Sequence, residues 1–320
     1  MKNIAWDLFC IISIIGIWPR FIEPQILSIN KKSITIPLPQ ELDGLKILHF
    51  SDLHFNNLVS KKRLMRIQKA INALDADILL FTGDWICQSK LDQPEILCSF
   101  LKGLIAPLGI YSILGNHDYQ SYVTKNEEGN FDIERKNRLL IAKIFSKLFG
   151  KNQKRSGLVT KDAAAVPFLD SLIELLKTAG VKLLHNQSIL IPYSGTYFNL
   201  VGLGDLWLDK ADIHRGFKDY NKHYPGIAMV HNPDAFDQMQ NCPMDIVLCG
   251  HTHGAQVNLP WLSNKFVGVE NKKYKRGLMQ LNGKWVHISR GLGSKILFRW
   301  FSTPEITLLT LRKSHGIAKT

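Results

Sequence analysis

The chain has 320 residues, of which 45% are apolar and 21% charged, with 40 Lys and Arg against 27 Asp and Glu for a formal net charge of +13. This excludes a disordered or collagen-like chain and leaves ample mass for a large buried core. The positive balance favours an anionic partner, whether nucleic acid, phosphorylated small molecule or anionic membrane face, and five cysteines without CxxC spacing argue against a disulfide-built secreted fold and for a reducing compartment.

The amino terminus opens on an apolar run, residues 8–18, bracketed by Trp6 and Trp18. It is shorter than the roughly 20 residues that cross a bilayer, and Pro19, Arg20 and Phe21 follow where a signal peptide would place small residues. Residues 1–24 are therefore expected to form an uncleaved membrane anchor, and the positive residues beyond it (Arg20, Lys31, Lys32) favour a body on the cytoplasmic face of a bacterial inner membrane. A helix packed in the core is the alternative.

From residue 26 onward, short runs rich in β-branched residues alternate with helical patterns. Strands are predicted at 45–50 (LKILHF), 77–81 (DILLF), 109–114 (GIYSIL), 227–230 (IAMV), 245–248 (DIVL) and 285–288 (WVHI). Their nearly continuous apolar character suits strands covered on both faces. Between the first two, Leu64, Ile67, Ile71 and Leu74 recur at helical spacing. Strand–helix–strand order implies an α/β layered sheet, and the hairpin-like stretch 188–203 makes it mixed.

Five of these strands end in polar clusters. Ser51-Asp52-Leu53-His54 follows the first, Thr82-Gly83-Asp84 the second and Gly115-Asn116-His117-Asp118 the third; His231-Asn232-Pro233 and Gly250-His251-Thr252-His253-Gly254 follow the next two. In open α/β sheets ligands collect beyond the carboxyl ends of the strands, so one crevice gathers all five. Asp52, His54, Asp84, Asn116, His231, His251 and His253 supply carboxylate, amide and imidazole ligands. One divalent ion takes about four to six ligands, so seven groups with water suffice for two. Such a pair clamps the attacking and leaving oxygens of phosphoryl displacement. His117 is placed at the rim, facing substrate, to stabilise phosphoryl oxygens or protonate the leaving group; Asp118 is placed to orient it. His49, His185, His214, His223, His287 and His315 lie outside the pattern, and Asp205 stays ambiguous.

These blocks resemble those of the calcineurin-like metallophosphoesterase superfamily: D-x-H, G-D, G-N-H-[DE], a single H and G-H-x-H, all present between Asp52 and His253. The resemblance implies an α/β fold, a two-sheet mixed β-sandwich flanked by helices, over residues 25–320. It implies one cation on Asp52, His54, Asp84 and His253, a second on Asp84, Asn116, His231 and His251 with Asp84 bridging, and His117 as the catalytic histidine. The ligand types admit manganese, iron or zinc. The stretches IEPQ, LDGLKILHFSDLHF, APLGIYSILGNHDY and SRGLGSKILFRWFSTPEITLLTL further resemble a membrane-associated bacterial branch. That branch includes phosphodiesterases and a lipid A-pathway enzyme, typically manganese-dependent, that splits UDP-2,3-diacylglucosamine into UMP and 2,3-diacylglucosamine 1-phosphate.

Residues 119–166 read as a cap-like helical insertion. Leu140, Ile141, Ile144, Phe145 and Leu148 share a face opposite Arg135, Lys136 and Lys143, the pattern of a basic amphipathic helix at an anionic interface. Arg290 and Arg299 are candidates for a second phosphate, because guanidinium binds it bidentately. The first expectation is a membrane-associated phosphohydrolase with two divalent metal ions, manganese first, acting on a lipid-linked phosphate, with the pyrophosphate of UDP-2,3-diacylglucosamine as first choice. The alternatives are a phosphodiesterase or nuclease, for which nucleic acid is the less favoured partner because an anionic bilayer attracts the same charge, and a non-catalytic membrane scaffold, which an intact set of ligands disfavours.

Overall fold

The computed structural model describes residues 2–134, 157–260 and 262–314. The basic helix expected in the insertion falls on residues 135–156 almost throughout and lies outside the described residues, as does His315.

Two six-stranded sheets form the body. In the first, β1 (Ser28–Ile36), β14 (Glu305–Lys313), β2 (Lys46–Phe50), β3 (Ile78–Thr82), β4 (Ile110–Ile113) and β7 (Val181–Leu183) lie side by side in that order. The second runs β12 (Gly277–Leu281), β13 (Lys284–Ile288), β11 (Ile246–Cys249), β10 (Gly226–Met229), β9 (Thr196–Gly202), β8 (Gln187–Tyr193). Both are mixed: β2, β3, β4 and β7 are parallel, as are β9, β10, β11 and β13, while β14–β2, β12–β13 and β8–β9 are antiparallel. A small hairpin, β5 (Val123–Lys125) and β6 (Phe131–Ile133), stands apart.

The alternation of side chains along each strand sets the layers. Leu80 of β3 packs with Ile47, Ile113, Met229 and Leu248 in the core containing residues of both sheets, whereas its neighbours Leu79 and Phe81 join the core with the helices. Being covered on both faces, β3 is buried at every position, which explains its unbroken apolar sequence. Helix α2 (Lys61–Asn72) is capped by Ser60, whose hydroxyl accepts from the Arg63 N–H at 3.2 Å, and it buries Leu64, Ile67 and Ile71. Helices α3 (Pro94–Lys102) and α4 (Asp170–Thr178) cover the same sheet, through Leu97 and Leu101 and through Leu172 and Leu176.

The amino-terminal run forms helix α1 (Lys2–Ile12) and continues as a π-helical stretch, Ser13–Ile22, that contains Pro19. Its apolar side chains face outward, with Trp6 and Phe21 each 64% exposed. Among the described residues no helix is long and apolar enough to cross a membrane. The end of this stretch is tied to the body. The Arg299 N–H donates to the Pro19 carbonyl at 2.7 Å. Glu23 is buried and accepts from Trp18 Nε1 (2.9 Å), Phe301 N–H (2.9 Å) and Ser302 N–H (2.6 Å). The boundary expected near residue 24 thus runs through a packed contact.

Candidate metal centre

The parallel order of β2, β3 and β4, and of β10 and β11, delivers the loops that follow them to one end of the sandwich. All seven candidate ligands converge there. His54 Nε2 lies 3.0 Å from His253 Nε2, 3.8 Å from Asp52 Oδ1 and 3.5 Å from Asp84 Oδ2, and His253 Nε2 lies 3.6 Å from Asp52 Oδ1. Beside this group, His231 Nε2 lies 3.2 Å from Asp84 Oδ2 and 3.3 Å from His251 Nδ1, which is itself 3.2 Å from Asn116 Oδ1. Asp84 Oδ2 is common to both groups. Donors that share a cation at about 2.1 Å stand roughly 3.0–3.4 Å apart, so the two groups have the spacing of two adjacent cation sites.

Local structure aims these atoms. The His231 Nδ1–H donates to the Thr82 carbonyl at 2.6 Å, which turns Nε2 toward Asp84 as the nitrogen that takes up a proton or a cation. The Asn116 amide nitrogen donates to the Val123 carbonyl at 2.9 Å, which turns its oxygen toward His251. Asp52 accepts from the His251 N–H at 3.1 Å. Asp52, His54, Asp84, His251 and His253 all have positive φ, between 44° and 68°. A left-handed backbone at non-glycine residues costs of order 1–3 kcal/mol each and gathers at functional sites. Gly83, at φ 92°, makes the close approach possible: a Cβ there would stand 2.5 Å from Gly115 N and 2.8 Å from His231 Nδ1.

The donor set fits divalent cations. Imidazole nitrogens facing one another at 3.0 and 3.3 Å repel unless a proton or a cation lies between them. Burial pushes Asp52 up to about 6 and His54 down to about 4. Burial opposes charge on His231 as well, but the Asp84 carboxylate against it carries it up to about 10. Burial also opposes charge on Asp84, yet His231 and His117 hold its carboxyl well below the usual carboxylate range. The centre therefore keeps a cation against Asp84 even when that cation is a proton.

His117 sits beside this cage, with Nε2 4.0 Å from Asp84 Oδ2. Its Nδ1 accepts from the Gln88 N–H at 2.9 Å, so in the neutral ring the proton resides on Nε2. Its face lies on Tyr122, with centroids 4.1 Å apart. Asp118 was expected to orient this ring, but its carboxylate accepts from Asp84 N–H (2.7 Å), Gly115 N–H (3.0 Å) and Ile86 N–H (3.1 Å), bracing the turn that carries Asp84. Main-chain donation from Gln88 orients His117 instead.

Among the described residues, Arg299 is engaged within the protein through its terminal nitrogens, and the Arg290 side chain through Nε alone. Arg299 is fully buried; its guanidinium donates to the carbonyls of Arg290 (2.6 Å), Ser302 (3.1 Å) and Gly293, and Nη2 lies 3.3 Å from His253 Nδ1. It clamps the loop of His253. Arg290 Nε donates to Glu305 at 2.5 Å. Asp205 is fully buried, accepts from the Trp207 N–H at 2.8 Å and is pushed up to about 7 by burial. His49 and His287 meet across the two sheets, Nδ1 to Nδ1, at 2.7 Å.

Cys87 is a neighbour that spacing did not reveal. A ligand atom from each of His54, Cys87 and His117 lies within 4.8 Å of the others. Burial pushes its thiol up to about 11, which keeps it protonated at neutral pH. A cysteine without a partner cysteine or a flanking motif carries no sequence signal, and only the turn after Asp84 brings it here.

A family model described as Calcineurin-like phosphoesterase matches residues 45–255, the stretch that contains every one of these loops. The chain belongs to the calcineurin-like phosphoesterases. This phosphoesterase is 35% identical over 307 residues to the UDP-2,3-diacylglucosamine pyrophosphatase LpxG of Chlamydia trachomatis serovar D, covering 92% of each chain. It is 34% identical to LpxG of Chlamydia muridarum, again over 92% of each. Phosphodiesterase YaeI of Escherichia coli K12 is 29% identical over 274 residues, 83% of this chain and 82% of that one. The calcineurin-like phosphoesterase is thus a hydrolase of phosphoester or pyrophosphate bonds, in a family that uses divalent metals.

Proposed function

We propose that this phosphoesterase is a membrane-associated, dinuclear pyrophosphatase that hydrolyses UDP-2,3-diacylglucosamine to UMP and 2,3-diacylglucosamine 1-phosphate, a lipid A-pathway step at the cytoplasmic face of a bacterial inner membrane. The observation that carries it is the 35% identity to LpxG across 92% of both chains. Asp52, His54, Asp84 and His253 would hold one cation; Asp84, Asn116, His231 and His251 would hold the other, manganese being the first choice. Bound there, the pair would supply a Lewis acid for the phosphoryl group and make water a stronger acid near neutral pH.

The chain's own residues do the rest. His117, with Nδ1 accepting from Gln88, presents an Nε2–H donor to a phosphoryl oxygen, and that bond strengthens as negative charge grows in the transition state. This geometry favours stabilisation of the oxygens over delivery of a proton by an imidazolium. Asp118 holds Asp84 in place, and Arg299 holds the loop of His253. The outward apolar face of α1 and the π-helical stretch, followed by Pro24 and Gln25 whose carbonyls accept from Arg63 and Arg66 of basic α2, suits an anionic bilayer and a substrate embedded in it.

The full chain, supplied with manganese and UDP-2,3-diacylglucosamine, is expected to release UMP, and Asp84→Ala and His117→Ala are expected to abolish or cripple that release. No UMP from the wild-type protein, or release by both variants equal to that of the wild type, overturns the reading. The similarity to phosphodiesterase YaeI favours one second reading, a simple phosphodiester substrate. Hydrolysis of bis(p-nitrophenyl) phosphate without turnover of the nucleotide lipid would select it.

A further inference from the structure

At one lateral edge of the sandwich a cavity of about 230 Å³ opens between the sheets, lined by Lys32 of β1, Glu305 and Thr307 of β14, Arg276, His287 of β13 and Arg290. None of the lining residues is a candidate metal ligand. Three cationic side chains and one carboxylate line it, and that carboxylate is engaged: Glu305 accepts from the Arg290 N–H (2.8 Å), from Arg290 Nε (2.5 Å) and from the Asn30 amide (2.7 Å). The two terminal nitrogens of Arg290 have no hydrogen-bond partner among the described residues. Arg276 is held below the ordinary guanidinium range chiefly by burial and secondarily by Arg290 nearby. Thr307 is 1% exposed, lines the same cavity, and its hydroxyl has no partner. A buried hydroxyl left unpaired costs about 1–3 kcal/mol, so a ligand that accepts its hydrogen bond would recover that loss.

We infer that this cavity is a binding site for a phosphate group, separate from the metal centre. Guanidinium, ammonium and hydroxyl donors around one space, with a surplus of positive charge, recognise a phosphoryl oxygen set. The volume, about 230 Å³, lies below the roughly 300–1,000 Å³ of sites for drug-sized ligands and suits a single phosphate group. The group comes either from free phosphate or from the headgroup of an anionic lipid. The second source is close at hand. Arg276 donates to the carbonyl of Phe301, which is 54% exposed and whose own N–H donates to Glu23 at the base of the apolar amino-terminal stretch. The inference does not rest on the substrate proposed above.

The test uses the manganese-loaded full chain and labelled inorganic phosphate in equilibrium dialysis. Two sites are expected in the wild-type protein, one at the metal centre and one here. Lys32→Gln and Thr307→Val should weaken the second by about tenfold, while hydrolysis of bis(p-nitrophenyl) phosphate stays unchanged. Thr307→Val preserves shape, so it reads the hydroxyl without disturbing the fold. A flotation arm compares vesicles of phosphatidylcholine with vesicles that also contain phosphatidylglycerol. A preference for the latter that declines severalfold in both variants assigns the lipid headgroup; an unaltered preference, with phosphate binding weakened, assigns free phosphate. Identical phosphate binding by wild-type protein and both variants overturns the inference.

Discussion

At the scale of single residues, the chemistry depends on backbone conformations that ordinary residues avoid. Five of the seven candidate ligands sit at positive φ, and Gly83 clears the space between them. Gly83→Ala is therefore expected to unseat Asp84 and His231 together: bound metal, read by elemental analysis, should drop along with activity. His117→Ala should lower kcat by about 10²–10³-fold with little loss of metal, the usual size of removing one donor to a developing oxyanion. The raised affinity of His231 for a proton has a sign that can be checked. With its metal-free pKa near 10, His231 is charged at pH 7, and a cation must displace that proton. Loading a chelator-stripped sample should thus release about one proton per protein from this residue, and metal affinity should rise with pH through the neutral range. Calorimetry in buffers of different ionisation enthalpy measures both. The seven donors were legible in the sequence because each follows an apolar strand. The roles of Gln88, Asp118 and Arg299 were not, because they act through main-chain N–H and C=O groups that composition does not encode.

At the scale of elements, the interior strands were legible and the edges were not. The predicted strands 45–50, 77–81, 109–114, 227–230, 245–248 and 285–288 each overlap an observed one within a residue or two at either end, because continuous burial leaves a continuous apolar trace. β1 carries Asn30, Lys31 and Lys32 and is largely exposed along its first half; it finds its place only by pairing in parallel with β14, from Ser28 opposite Glu305 onward. No local pattern announces a partner so distant in sequence. Leu80→Ala, in the centre of the sandwich, should cost about 2–5 kcal/mol in denaturant unfolding. The amino-terminal helix divides into two parts with different tests. Deleting residues 2–12, which are exposed or half-exposed wherever burial is described, should leave the melting temperature unchanged. Extending the deletion through Glu23 removes the acceptors for Arg299, Phe301 and Ser302 and should lower it.

At the scale of the whole molecule, two sheets place five loops at one end, and the order of those loops along the chain was enough to identify the family. The assembled site was legible as a set of ligands, and the sandwich only through the resemblance those ligands carried; the pairing of β12, β13 and β14 into two separate sheets had no local signature. Cations that bind the folded cage and not the unfolded chain stabilise it by mass action, about 4 kcal/mol at a thousandfold excess over Kd. A chelator should accordingly abolish turnover and lower the melting temperature together, and re-addition of manganese should restore both.

Glu23 is tied to residues 301–302 and Pro19 to Arg299, which also holds the loop of His253, so the end of the π-helical stretch is bonded to the rim of the metal centre. A bilayer that captured this stretch would therefore hold the reactive mouth close to its surface. For the lipid-linked substrate proposed above, the search would then become lateral diffusion in two dimensions, and turnover would follow the surface density of the lipid rather than its bulk concentration.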